Sequence, residues 1–144
     1  MGSKLNPPSV CLDSMLFMYF LDKSDSAFHQ LSLKTFKSLF SQKTKLITSV
    51  VSVIETLSFP KLFGDQDNID SYLLFFKTCP NLTVYPLDIN TALIAADLRR
   101  KHPPLKTPDS IQLATALSHN ADLFITNDDR LKHLNLSPLK IRAL

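Results

Sequence analysis

The chain has 144 residues, 44% of them apolar and 20% charged, which suffices for one well-formed core and is too short for two ordinary domains, so a single domain over residues 1–144 is expected. A formal charge of +3 permits an anionic partner such as RNA without requiring one. Glycine occurs only at Gly2 and Gly64, histidine only at the scattered His29, His102, His119 and His133, and cysteine only at Cys11 and Cys79; these counts exclude glycine-built phosphate cradles, give no zinc spacing, His-based triad or disulfide framework, and leave the carboxylates to carry any chemistry.

Along the chain, Ser9 to Leu12 is a short apolar run closed by Asp13, and Ser14 to Leu21 follows as another, a pattern that suits a buried strand feeding a helix. Lys4 ahead of this run resembles the start of a secretory signal, but Asp13 interrupts the apolar stretch and no small-residue cleavage site follows, so the segment is expected to belong to the fold. No window approaches the ~20 uncharged residues of a membrane span. With its unpaired cysteines, the chain is expected to be soluble and cytoplasmic. From Ser24 to Phe40 the apolar positions Phe28, Leu31, Leu33, Phe36, Leu39 and Phe40 recur at near-helical spacing. Lys45 to Ser49 predicts a second strand, Ser49 an N-cap, and Val50 to Leu62 a helix ending near Pro60. Asn68 to Lys77 predicts a further helix, and NLTVYPL a third strand centred on Val84 and Tyr85.

Asp88 is expected to cap a helix whose buried stripe is Ile89, Ala92, Leu93 and Ala96, with Arg99, Arg100 and Lys101 at the negative end of its dipole and Pro103-Pro104 stopping it. Thr107-Pro108-Asp109 reads as a helix start: a capping hydroxyl, proline at the first helical position, then an acid in the first turn. That helix is expected to run to about His119. Ala121 to Thr126 predicts a fourth strand, Asn127 to Leu134 a turn and short helix, and Leu139 to Arg142 an edge strand. Strands alternating with helices predict a three-layer α/β/α sandwich around a mainly parallel sheet.

In such sheets ligands bind beyond the carboxyl ends of the strands. Four acids fall there. Asp13 ends the first strand, Glu55 lies within two turns of the second, Asp109 opens the helix before the fourth, and Asp128 follows the fourth. Glu55 is the only glutamate in the chain and sits in the otherwise uncharged LITSVVSVIETLSF. Two unit charges 4 Å apart repel by roughly 4 kcal/mol at an effective dielectric near 20, so four gathered carboxylates need a compensating cation. Only Lys106 and Arg130 are near them in sequence, and an all-carboxylate oxygen set suits Mg²⁺ or Mn²⁺. The competing structural reading is helix capping for Asp13, Asp109, Asp128 and Asp129; Glu55 lies too far into its helix for that.

The segments LIAADLRRKHPPLKTPDSIQLATALSHNADLFITNDDRL, VCLDSMLFMYFLD and ITSVVSVIETL together resemble the PIN-domain family of metal-dependent ribonucleases, especially the VapC-like toxins of bacterial toxin–antitoxin pairs, over about Val10 to Leu134. The resemblance implies a PIN-like fold with Asp13, Glu55, Asp109 and Asp128 as metal ligands and catalytic acids, and Ser14, Ser49 and Thr126 in support. Mg²⁺ or Mn²⁺ held there would activate water against an RNA phosphodiester. It also implies an antitoxin partner and a homodimer, for which the aromatic-rich segments Phe17 to Phe20 and Leu73 to Phe76 offer apolar surface, unless they are core. Met15 departs from the family, which often has asparagine or another small polar residue there. The same residue argues against a haloacid-dehalogenase-type phosphatase, which needs a second acid at that position.

Arg99, Arg100, Lys101, Lys106 and Arg130 lie near the acidic edge in sequence and are expected to contact the RNA backbone; a solvated helix end is the competing reading of the first three. Two alternative functions remain: an RNA-binding or scaffold module with a weak or unused metal site, and a PIN nuclease of RNA maturation.

Overall fold

Short runs rich in β-branched and apolar residues form the central strands, whose two faces are both covered. A computed structural model describes residues 8–144; Gly2 and Lys4 lie outside the described residues. Strands β1 (Ser9–Leu12), β2 (Lys45–Ser49), β3 (Leu82–Tyr85), β4 (Leu123–Thr126) and β5 (Lys140–Ala143) form one sheet in the order β3-β2-β1-β4-β5. All four pairings are parallel, the mainly parallel sheet that was expected, with the edge strand included. The chain builds outward from β1 to β2 and β3 on one side, then returns to add β4 and β5 on the other. That reversal leaves a crevice beyond the carboxyl ends of β1 and β4.

Neighbouring residues of a strand point to opposite faces, and each face has its own core. Val10 and Leu12 of β1, Leu46 of β2 and Ile125 of β4 pack with Leu16, Phe17, Phe36, Leu39 and Phe76 on one face. Cys11, Ile47 and Phe124 pack with Leu98, Leu113, Ala114, Ala116 and Leu131 on the other. The first layer contains α1 (Ser14–Leu21), α2 (Ser26–Ser41) and α4 (Gln66–Thr78); α3 (Val50–Leu57) adds Val53 to it. The second contains α5 (Ile89–Lys101), α6 (Thr107–Ser118) and α7 (Asp129–Lys132). The aromatic-rich segments are largely core: the Phe17 ring lies 4.9 Å from Phe76 and 5.7 Å from Phe36, and all three are buried. Among the described residues no helix is long and apolar enough to cross a membrane. Cys11 and Cys79 are free and buried.

Four local expectations are corrected. The helix begun at Val50 ends at Leu57 rather than Leu62, because the residue before Pro60 is pushed to an extended backbone, and a separate 3-10 turn spans Pro60–Leu62. In α2 Phe36 and Leu39 are buried as expected, but Leu31 is exposed, and Ser32 is buried in its stead and donates to the Leu16 carbonyl at 2.7 Å. In α5 the buried face is Thr91, Ala95 and Leu98; Ile89 and Leu93 are 76% and 64% exposed. The buried face is the one packed along α6. Thr107 does not cap α6; Lys106 occupies the cap position with an extended backbone, and Thr107, Pro108 and Asp109 form the first turn, where a proline costs no hydrogen bond.

Candidate active site

Strand β1 ends where the Asp13 N–H donates to the Ile125 carbonyl of β4 at 3.0 Å. The next peptide turns into α1, and Asp13 is its N-cap, its Oδ1 accepting from the Ser14 N–H at 2.8 Å. Capping alone does not bury a carboxylate, yet Asp13 is only 5% exposed. Its Oδ2 accepts from the Thr126 hydroxyl at 2.7 Å, and the Thr126 oxygen in turn accepts from the Asp128 N–H at 3.0 Å. One buried threonine therefore ties the first acid to the backbone of the fourth. The Ser14 hydroxyl donates to Glu55 Oε1 at 2.9 Å, tying α1 to α3.

These bonds favour the ionised form of Asp13, but desolvation outweighs them. Burial, with smaller contributions from Asp109 and Glu55, pushes its pKa up to about 6. Asp109, half-buried in the first turn of α6, is raised in the same direction by burial and then by Asp128 and Glu55, against the opposing pull of Arg130 and Lys106. The four acids are thus linked by mutual repulsion: Asp13 with Asp109 and Glu55, and Asp109 with Glu55 and Asp128. Sequence-distant segments deliver them to one end of the sheet.

Asp128 behaves differently. It caps α7 by accepting from the Arg130 N–H at 2.9 Å, and the Arg130 guanidinium grips both of its oxygens, Nε to Oδ1 at 3.0 Å and Nη2 to Oδ2 at 2.5 Å. That guanidinium holds the Asp128 carboxyl below the usual carboxylate range. Its Nη2 also lies 3.8 Å from Asp109 Oδ2. One cation thus faces two of the four acids.

Among the described residues no three Asp, Glu, His or Cys side chains stand close enough to form a ready-made metal cage. The chemistry of the donor set fits a hard divalent ion all the same. It is all carboxylate oxygen, one member nearly fully buried and resisting ionisation, with more negative charge than Arg130 offsets. Of the other residues considered from sequence, Ser49 caps α3 through the Val51 N–H and donates to Gln112. Arg99 donates to the Leu105 carbonyl, and Arg100 and Lys101 pair with Asp97 on the same helix. Lys106 is exposed at the start of α6. Exposed Asp129 pairs with Lys132.

The sequence reading missed three groups that the fold brings beside this site: Thr48, Ser52 and Gln112, all at most 1% exposed. The available signal was a glutamine in the otherwise small and apolar face of α6, and hydroxyls spaced through TSVVS.

A family model for the PIN domain matches residues 10–136. Solved structures of similar fold include a toxin–antitoxin complex from Klebsiella pneumoniae, at 16% identity and a TM-score of 0.65, covering 90% of this chain and 94% of that chain. VapBC-1 from nontypeable Haemophilus influenzae is similar at 19% identity and a TM-score of 0.65, covering 94% and 97%. Mycobacterium tuberculosis VapC20, described as a sarcin-ricin loop cleaving toxin, is similar at 14% identity and a TM-score of 0.61, covering 80% and 86%. No curated protein matches the sequence at a significant level.

Proposed function

Because the chain belongs to the PIN-domain family, we propose that it is a divalent-metal-dependent endoribonuclease, the toxin half of a toxin–antitoxin pair, acting as a single PIN domain in the cytoplasm. The observation that carries this reading is the buried, repulsion-linked carboxylate of Asp13 at the sheet's switch-point crevice. Asp13, Glu55, Asp109 and Asp128 would hold Mg²⁺ or Mn²⁺. Bound there, the ion supplies a more acidic water and positive charge for the phosphodiester oxygens.

The chain's own residues do the rest. Thr126 and the Ser14 N–H hold the two oxygens of Asp13, and the Ser14 hydroxyl holds Glu55, so neither acid has to reorganise when substrate arrives. Arg130 compensates charge at the Asp109–Asp128 side and, being 60% exposed, is available to an RNA phosphate. Hydrolysis adds water across the P–O bond, and no covalent enzyme intermediate is required.

The toxin role is supported by neighbours described as toxins or toxin–antitoxin complexes, and RNA as substrate by the one described as cleaving the sarcin-ricin loop. An antitoxin and a second copy of the chain are the partners this reading implies, with exposed Ile54, Ile89 and Leu93 as apolar surface for a protein contact. The test is cleavage of defined RNA by purified protein with Mg²⁺, Mn²⁺ or chelator. Metal-dependent cutting that is lost in Asp13→Asn and Asp109→Asn is expected; cutting that survives chelation, or equal cutting by both variants, would refute it.

A further inference from the structure

Gln112 of α6 is 1% exposed among apolar neighbours, and a buried amide is costly unless its hydrogen bonds are met. They are met by side chains of two other elements. The Ser49 hydroxyl donates to Gln112 Oε1 at 3.0 Å, and Gln112 Nε2 donates to Ser52 Oγ at 2.8 Å. Thr48 donates to the Leu12 carbonyl at 2.9 Å, so the 2.6 Å bond between Ser52 and Thr48 has Ser52 as its donor. The bonds run in one consistent direction from α6 through α3 and β2 to β1.

The places where this chain of bonds touches each element are informative. Gln112 lies one turn after Asp109, Ser52 one turn before Glu55, and Leu12 immediately before Asp13. Apolar packing between helices tolerates small slides, because dispersion and hydrophobic burial have little directionality. A satisfied buried network does not tolerate them, since each hydrogen bond fixes a distance and an angle. The acids repel one another, so something must oppose their spreading.

We propose that Gln112 is a positioning residue for the acidic site, joining through Ser52 and Thr48 the three elements that carry Asp13, Glu55 and Asp109 and holding those acids at a common spacing. This rests on the metal-dependent nuclease reading above. It assigns Gln112 no contact with substrate.

Gln112→Met keeps the length of the side chain and removes its polarity. Ser49 still accepts from the Val51 N–H and Ser52 still reaches Thr48, so the variant is expected to fold. Wild type and Q112M are compared by metal-free melting temperature, by the midpoint of Mn²⁺ binding in isothermal titration calorimetry, and by kcat and KM on one RNA. The expected result is a metal-free melting temperature within a few degrees of wild type, a kcat lower by about tenfold and a Mn²⁺ midpoint higher by about tenfold, the low end for loss of a supporting partner, with KM little changed. A folded Q112M with wild-type kcat and Mn²⁺ midpoint overturns the proposal. Should Q112M not fold, Ser52→Ala, which removes both the Gln112–Ser52 and the Ser52–Thr48 bonds, is expected to move kcat and the midpoint in the same direction; no movement overturns the proposal. A wild type that neither takes Mn²⁺ nor cuts RNA would instead sink the nuclease reading, and this inference with it.

Discussion

The two sides of the acidic crevice solve the same electrostatic problem in opposite ways. At the β1 side, Asp13 is buried, bound by a hydroxyl and a backbone N–H, and its pKa is pushed up to about 6. At the β4 side, Asp128 is more open, clamped by Arg130, and its pKa is held down. Hydrogen bonds from neutral donors do not replace a cation when desolvation is nearly complete. The chain thus neutralises one side of its own site and leaves the other in charge deficit. A divalent ion would act most strongly on the side that Arg130 does not reach.

The largest test of this asymmetry is activity. Asp13→Asn and Asp109→Asn should each lower metal-dependent RNA cleavage by more than the roughly 10–100-fold typical of losing a supporting partner. Losing only a few-fold in either variant would break the comparison at its buried side.

Stability comes next. The folded state raises the Asp13 pKa from 3.8 to about 6, so this group's contribution to stability is complete below about pH 3.8 and is lost as pH rises through about 6. At pH 7 in chelator the ionised carboxylate opposes folding by something on the order of 3 kcal/mol. Asp13→Asn, which cannot ionise, should therefore melt higher than wild type at pH 7 and lose that advantage near pH 4. Calorimetry at the two pH values measures it; a lower melting temperature for the variant at pH 7 would show that the hydrogen bonds, not desolvation, dominate.

Mn²⁺ sharpens the same point, because a ligand of the native state stabilises by about 2.7 kcal/mol when present at 100 times its dissociation constant. Wild type should gain in melting temperature and Asp13→Asn should gain much less. An equal gain in both would move the ion away from Asp13.

The smallest expected effect is at the other side. Arg130→Gln removes an ion pair made by a solvent-exposed guanidinium, which contributes little to stability, so melting should change by no more than a few degrees. The Asp128 carboxyl should rise toward its ordinary range, which NMR titration would follow. A large loss of stability would mean that Arg130 holds the crevice together.

Much of the fold was legible before the structure, because strand and helix differ in the period of their apolar residues. Each strand run was found, as were the caps at Asp88 and Ser49. The α5 stripe was not: Ile89 and Leu93 are more hydrophobic than Thr91 and Ala95, yet the face of Thr91, Ala95 and Leu98 is the one that turns inward, because the packing between segments, not the local composition, selects it. Asp13 and Glu55 were legible as exceptions in apolar surroundings, Asp109 and Asp128 by their places at a helix start and just after a strand. Which of them a cation compensates was not, since Arg130 serves both Asp128, two residues away, and Asp109, far back in the chain. Gln112 was passed over for a related reason: as a single polar residue in α6 it gives no hint of Ser49 and Ser52 waiting across the interface.

The sequence by itself determined the alternation of elements, the parallel sheet and the residue types available at its carboxyl edge, because these depend on local periodicity and on side-chain chemistry. Only the tertiary structure decided how deeply each carboxylate is buried, which hydroxyl or guanidinium it meets, and hence whether its proton is held more or less tightly. Desolvation and charge coupling depend on distances between segments up to about a hundred residues apart, and no local pattern encodes those.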